Sequence, residues 1–472
     1  KNRYGNDRIS SEGNAENELW PVCNAAGDAA KANDQILRTI SIVGTGMSGE
    51  TSGMTVQGRE ICRNADIIIG AERIADAAAF PGQKILYEYR PGEIAEHIHR
   101  HDEYVNIVIV MSGDTGFFSG AKKLLERFHR TGIKVNIYPG LSSLSYFTGR
   151  IGEGRWENIS ASLHGRGAAA ENDDVFDRKM TVSLQASSWE DVDICSLHGR
   201  TCNLIGHVLK NEKVFCILGR KEHISGISKK FLRYGMNDLL IFLGERLGYP
   251  EEKILLGRPA DFAEYENDPL AVVLIINAAA DHRTGTRIPD EFFVRDKVPM
   301  TKEEIRTISV AKLDISKDDI IYDVGAGSGS VTMEMASAAI DGMVYAIEKN
   351  ETALSLIEEN KGKCKCDNVV IVPGEAPCAM ADLPAPDAVF IGGSGGNLPD
   401  IVRDLKEKNP NVRLVINAVT IETIGLAMQA LKEEGFHITG ISCVSVSRAK
   451  EVGEYHLMMG QNPVYIITAE SD

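Results

Sequence analysis

Residues 320–339, IIYDVGAGSGSVTMEMASAA, constrain the chain more than any other stretch. Ile320 to Val324 is an apolar run of the length of one buried strand. Gly325, Gly327 and Gly329 follow at alternate positions, and Val331, Met335 and Ala338 then recur at helical spacing. Strand, glycine loop and helix in that order let the backbone turn sharply against a ligand and leave free amides at the helix start for a polar group. A nucleotide-like cofactor suits such a place. The spacing G-x-G-x-G departs from the G-x-G-x-x-G of hydride-transfer folds. An acid, Asp323, precedes it, and Glu348 ends the next apolar run, MVYAIE, 19 residues beyond Gly329. A carboxylate there can accept hydrogen bonds from both hydroxyls of a ribose. Taken alone, the loop is also compatible with a plain strand-helix turn of some other α/β protein.

The stretch resembles the S-adenosylmethionine loop of class I methyltransferases. At 472 residues the chain is expected to hold two or three domains. It has no run of 18 apolar residues and its first residues lack the order of a secretory signal, so no membrane partner and a cytoplasmic location are expected. The nine cysteines are odd in number and scattered, which argues for reduced thiols. Cys364 and Cys366 come nearest to a metal pair, but no second pair at ligand spacing accompanies them, so no metal site is expected. A net charge of −16 repels phosphate backbones and disfavours nucleic acid as a partner.

Residues 1–37 lack sustained periodicity and begin with Lys where a complete reading frame would begin with Met, so a disordered leader is expected. From Leu37 the sequence alternates strand and helix patterns. The strand LRTISIVG runs into glycines 44, 46 and 49; a helix over 55–64 and a strand over 66–70 follow; and the strand VNIVIVM precedes Gly113 and Asp114. A helix over 120–130 and the strand VNIYPG complete a parallel α/β lobe. A second lobe is expected over 191–277, with strands at 214–219, 238–245 and 270–277. Together these form a unit over 38–280, followed by a linker at 281–292 and a further α/β unit over 293–472. In that last unit strands are predicted at 320–324, 343–348, 368–372, 387–391 and 412–417, with a closing pair at 438–447 and 456–468 as an antiparallel edge hairpin. SLHGR occurs twice, at 162–166 and 196–200, which suggests an inserted loop near 152–188 carrying a degenerate copy, the second copy being the favoured functional one.

Both halves resemble known families. VGTGMSG, IIIGAER (67–73), MSGDTGFFSG, YPGLSSLSYF and SLHGR are similar to the CbiE branch of the tetrapyrrole methylases. RDKVPMTKEEIR, DVGAGSGSVTMEMA, FIGGSGGNLPDIV, NAVTIET and SVSRAKEVGEYHLMMGQNPVYIIT are similar to CbiT. The resemblance implies a two-lobed tetrapyrrole methylase fold followed by a Rossmann-like methyltransferase. It implies methylation of a corrin precursor at carbons 5 and 15, loss of carbon dioxide from the ring C acetate, and self-association. In the second unit it implies cofactor contacts at Thr301, Gly325, Ala326, Gly327, Gly329, Glu348 and Ala376. Gly393, Ser394 and Gly395 would form the tetrapyrrole floor, and Arg295, Lys297, Arg448 and Lys450 are cations available for the substrate's carboxylates. In the first unit it implies cofactor contacts at Gly113, Asp114, Ser142 and Ser143, and carboxylate binding by His198 and Arg200. Two cofactor sites follow; no catalytic base is assigned. Thr115 stands where that family has proline, and SGETSGMT lacks its usual proline and leucine positions. The alternative is therefore a first unit that serves only as a scaffold.

Overall fold

The computed structural model describes residues 38–471 apart from 48–52, 130–132, 160–181, 183–185, 200–201, 220–221, 284 and 286. The expected leader, most of the expected inserted loop, the first SLHGR copy and Arg200 lie outside the described residues. Among the described residues three large sheets follow one another along the chain.

The first sheet contains β1 (Thr39–Gly44), β2 (Ile67–Gly70), β3 (Lys84–Tyr87), β4 (Asn106–Met111) and β5 (Lys134–Tyr138), all parallel in the order β3-β2-β4-β1-β5. Alternate residues go to opposite faces. Ile40, Ile42, Ile67, Ile69, Ile107 and Ile109 pack under one layer of helices, while Val43, Ile68, Val108 and Val110 pack under the other. The short, largely exposed β3 was not foreseen. KILY is four residues long and sits at the sheet edge, where one-sided contact asks for little apolar text.

The second sheet is β6 (Glu157–Asn158), β7 (Val192–Ser196), β8 (Lys213–Ile217), β9 (Leu240–Glu245), β10 (Lys253–Gly257) and β11 (Ala271–Ile276), in the order β6-β10-β9-β11-β8-β7. Three strands were expected and six are present among the described residues. The central pairs β10/β9, β9/β11 and β11/β8 are antiparallel, while the flanking pairs are parallel. β10 escaped the sequence reading because KILLG is short and flanked by charged text.

The third sheet is β12 (Ile320–Val324), β13 (Met343–Glu348), β14 (Val369–Pro373), β15 (Ala388–Ile391), β16 (Arg413–Ala418), β17 (Phe436–Val444) and, after a separate hairpin, β20 (Val464–Ser471). Its order is β14-β13-β12-β15-β16-β20-β17. The first five are parallel; β20 runs antiparallel between β16 and β17. The expected closing pair is therefore split. β17 and β20 make the sheet edge, and between them β18 (Ser447–Val452) and β19 (Tyr455–Gly460) form a hairpin of their own. Ile321, Ala346, Phe390 and Val415 pack on one face of the third sheet, and Tyr322, Val324, Ile347, Val389 and Leu414 on the other. Each fully buried Ile, Val or Phe of this kind stabilises by roughly 1.5–3 kcal/mol through removal from water. The strand ends are thereby fixed in place under the loops that matter below. No helix of the described residues is long and apolar enough to cross a membrane.

Candidate active site

The third sheet opens at the carboxyl ends of β12, β13 and β15 into a cleft of about 1150 Å³. Open parallel sheets bind ligands at this end because successive crossover loops diverge there. Two glycine loops form its base. Gly325, at φ +72, donates its amide to Ile347 O at 3.0 Å, and Gly392 donates to Val324 O at 3.0 Å. The two loops touch through their backbones: a methyl built on Gly325 would lie 2.4 Å from Gly393 O. A side chain at 325 would push the loops apart. The helix Ser330–Ala338 starts from Gly329, at φ +77, without a side-chain cap, and Ser330 and Val331 of its first turn border the cleft.

Glu348 stands at the end of β13, half-buried. Its Oε2 accepts the Gly327 amide at 2.9 Å, and its Oε1 accepts those of Lys349 and Asn350, each at 2.9 Å. The carboxylate thus ties the glycine loop to the next strand end while facing the cleft. Asp323, one residue before the loop, is fully buried. Thr332 Oγ1 donates to its Oδ2, Oδ1 has no partner among the described residues, and burial pushes its pKa up to about 7. Burial disfavours the charged carboxylate there, and the nearby Glu348 charge adds to the effect.

The roof comes from residues 296–302, which run over the glycine loop before the helix Glu303–Lys312. One guanidinium holds this segment. Arg306, with no exposed surface, donates Nε to Glu334 at 2.7 Å and Nη1 to Asp290 at 3.1 Å and to Thr301 O at 2.8 Å; its Nη2 donates to Ile288 O. Burial raises the Glu334 pKa. Burial also works against the Asp290 carboxylate, but Arg306 and Arg448 hold its pKa below the usual range.

Of the residues expected in this unit, Thr301, Gly325, Ala326, Gly327, Glu348, Ala376, Gly393, Ser394 and Gly395 all border the cleft. Gly329 does not; it turns the chain into the helix behind. Arg295 is exposed and does not border the cleft, whereas Lys297 does. Arg448 does not border the cleft; it is bound to Glu304 at 2.9 Å through Nε and to Asp290 at 2.9 Å through Nη1, beside the network that anchors the roof. Lys450 lies exposed on the β18 hairpin. Asp323, Lys302, Asn417 and Val419 also border the cleft and were not singled out as site residues. The position of Asp323, against the first glycine of the loop, was the available signal.

In the first unit the ends of β1, β4 and β5 meet. A methyl on Gly44 would lie 2.6 Å from both Gly113 O and Gly140 N, so the backbones pass in contact. Gly46 and Gly113 exchange backbone hydrogen bonds at 3.1 and 2.9 Å. Asp114 accepts the amides of Gly116 (Oδ1, 2.8 Å) and Gly140 (Oδ2, 3.1 Å), joining the β4 and β5 turns. Ser142 caps the helix Ser143–Gly152 by accepting from Ser145 N at 3.1 Å, and Ser143 is buried behind it. These four are brought together at the carboxyl edge of the first sheet. His198 stands exposed on the turn after β7 of the second sheet, its amide donating to Ser196 Oγ at 3.2 Å.

Comparison with known proteins adds the chemistry. Residues 39–263 match the family described as tetrapyrrole (corrin/porphyrin) methylases, and residues 291–470 the family described as precorrin methyltransferase domain. A probable cobalt-precorrin-6B C(15)-methyltransferase (decarboxylating) from Pyrobaculum calidifontis is 40% identical over 185 residues, covering 39% of this chain and 94% of that protein. The chain belongs to the precorrin methyltransferases. The cobalt-precorrin-6B C(15)-methyltransferase (decarboxylating) of Salmonella typhimurium is 36% identical over 185 residues, 39% of this chain and 95% of its own. A crystal structure titled precorrin-6Y C5,15-methyltransferase, from Geobacter metallireducens, matches at 38% identity over 39% of this chain and 96% of its own, with a TM-score of 0.38. This precorrin methyltransferase is thus an α/β protein joining a two-lobed tetrapyrrole methylase unit to a Rossmann-like methyltransferase unit with an antiparallel edge. It is an S-adenosylmethionine-dependent enzyme.

Proposed function

We propose that this chain acts in cobalamin biosynthesis as a C5,15-methyltransferase (decarboxylating) on a precorrin-6Y-type or cobalt-precorrin substrate. The first unit methylates carbon 5; the second methylates carbon 15 and promotes loss of carbon dioxide from the ring C acetate. The observation that carries the reading is the cleft whose base is two glycine loops in backbone contact beside an open helix N-terminus and a strand-end carboxylate. These features fit S-adenosylmethionine. Bound there, the cofactor supplies an electrophilic methyl group on a sulfonium. The chain's own residues position and enclose: Gly325, Ala326 and Gly327 admit the ligand against the backbone, Glu348 accepts from its ribose, and Thr301 and Ala376 border it from the two sides. An in-line transfer to carbon needs alignment and shelter from water more than proton transfer. Gly393, Ser394 and Gly395 form the floor for the macrocycle, Val419 offers it an apolar contact, and Lys297 and Lys302 face its carboxylates. The protonated conjugated ring is its own electron sink for decarboxylation, so the protein need only orient the acetate. A second cofactor site in the first unit is supported by the convergence of Gly113, Asp114, Ser142 and Ser143, with Asp114 framing the site through the two backbone turns it holds.

Mass spectrometry of the product after incubation with S-adenosylmethionine and a reduced precorrin-6 substrate, with and without cobalt, tests the reading. The expected product has gained two methyl groups and lost one carbon dioxide. One methyl with the carbon dioxide loss would confine activity to the second unit; an unchanged substrate would refute the proposal.

The same reading includes self-association. The β18 hairpin presents Tyr455 (79% exposed), Leu457 (55%) and Met459 (47%) on one face, an apolar stripe of a kind that marks an interaction site. A second copy of this chain is the proposed occupant. Light scattering is expected to show an oligomer for the wild type and a smaller species for L457K/M459K with unchanged helix content. A wild-type monomer at micromolar concentration would end this part of the proposal.

A further inference from the structure

The two units meet along a line of complementary charge that neither proposed reaction uses. On the first unit the contributing residues are Asn203, His207, Lys230, Arg233 and Tyr234, from the helices Leu204–Lys210 and Ile224–Arg233 and their ends. On the second unit they are Ile340 and Asp341, in the turn before β13, Glu358 in the helix Glu351–Cys364, and Asp367 just beyond it. His207 is held from both sides, by Asp193 of its own unit at 2.5 Å through Nδ1 and by Asp341 of the other at 2.8 Å through Nε2. It is 13% exposed, and the hydrogen bond to Asp193 leads the effects that push its pKa up to about 10, so the imidazolium is charged at neutral pH. Lys230 pairs with Asp367 at 3.1 Å, Tyr234 donates to the same carboxylate at 3.1 Å, and Arg233 pairs with Glu358 at 2.7 Å. Asn203 Nδ2 donates to Ile340 O at 3.1 Å, and Gly206 passes so close to Ile340 that an added methyl would lie 3.2 Å from its Cγ1.

In each ion pair that crosses the junction the cation belongs to the first unit and the carboxylate to the second, with one tight backbone approach to set the register. Exposed pairs of this type contribute little singly. A complementary row suppresses wrong partners, because like charges placed opposite one another cost far more than a pair gains. We propose that this junction is a self-sufficient docking surface: the acidic strip of the second unit recognises the basic helices of a tetrapyrrole methylase unit even when no peptide joins them. The linker then raises the local concentration of a contact that exists without it. Substrate passing between the two reactions would meet two clefts in one fixed relation.

The full chain carrying a protease recognition sequence inserted after Gly285 is cut and applied to size exclusion at micromolar concentration and low salt. The halves are expected to co-elute. The charge reversal E358R/D367K is expected to weaken association at least tenfold. Adding the reciprocal R233E/K230D is expected to restore it to within about threefold. Separation of the cut wild-type halves overturns the proposal, as does co-elution unaffected by the reversal. The uncut reversal variant, checked by circular dichroism, guards against loss of fold, and self-association through the hairpin cannot mimic the rescue.

Discussion

Arg306→Met is expected to destabilise the second unit by about 3–5 kcal/mol, because removing one member of a buried ionic network strands the others. Arg306 has no exposed surface and satisfies Glu334, Asp290, Thr301 O and Ile288 O at once. In the variant the two carbonyls lose their Arg306 donor inside the protein, Glu334 is left with the Ile288 amide and Asp290 with Arg448. A loss of that size lowers the melting temperature of a domain of this length by roughly 10 °C. The pH dependence has a definite sign. An acid kept charged at a cost in the folded state, with its pKa raised as Glu334's is, destabilises fully above the folded pKa and progressively less as pH falls toward the unfolded value. Asp290, whose lowered pKa now adds stability above its unfolded value, loses the part of that contribution that Arg306 supplies and keeps the part from Arg448. Both effects shrink on acidification, so the difference between variant and wild type should be larger at pH 8 than at pH 5.5. The triple change R306M/E334Q/D290N removes the stranded charges and should recover part of the loss. A melting temperature within 2 °C of wild type for R306M alone would show that the network does not hold the roof.

How much of this was legible beforehand follows from where the physics is local. β12 and β13 end where the apolar runs end, because a strand buried on both faces writes its length directly into the sequence. The strand-end position of Glu348 was legible for the same reason: it marks the point where MVYAIE leaves the core. Arg306 was invisible. In MTKEEIR it reads as one more charge on a helix, and its acids come from residues 290 and 334 through tertiary packing alone. The ion pairs of Arg448 were invisible for the same reason, since Glu304 and Asp290 reach it from about 150 residues away in sequence. The antiparallel second sheet was undercounted because its edge and flanking strands are short and carry charges between apolar residues. The split of the closing strands turns on local backbone: Gln461, Asn462 and Pro463 interrupt the long run, and proline cannot donate to a sheet ladder. The hairpin then leaves the sheet with its apolar residues outward, a placement that no periodicity within the segment foretells.

Gly325→Ala is the second large effect, and it falls on the site and not on the fold. The residue sits at φ +72, where a side chain is strained, and its new methyl would lie 2.4 Å from Gly393 O and 2.9 Å from Gly393 N. Both obstacles are backbone, so the collision cannot be relieved by a rotamer change; one glycine loop must move away from the other. Displacing a binding loop by about 1 Å costs on the order of a hundredfold in productive alignment. The expected result is at least a hundredfold weaker binding of S-adenosylhomocysteine to the second unit by calorimetry, together with loss of carbon 15 methylation. The neighbouring Gly393→Ala separates steric contact from a general intolerance of the loop. A methyl there meets nothing within 4 Å and points into open cleft, so cofactor affinity should stay within about threefold of wild type. If its methyl projects over the macrocycle floor, the product yield should fall while cofactor binding persists. Equal affinities for wild type and G325A would mean that the contact between the two loops does not shape the cofactor cleft, and the assignment of that cleft would have to be abandoned.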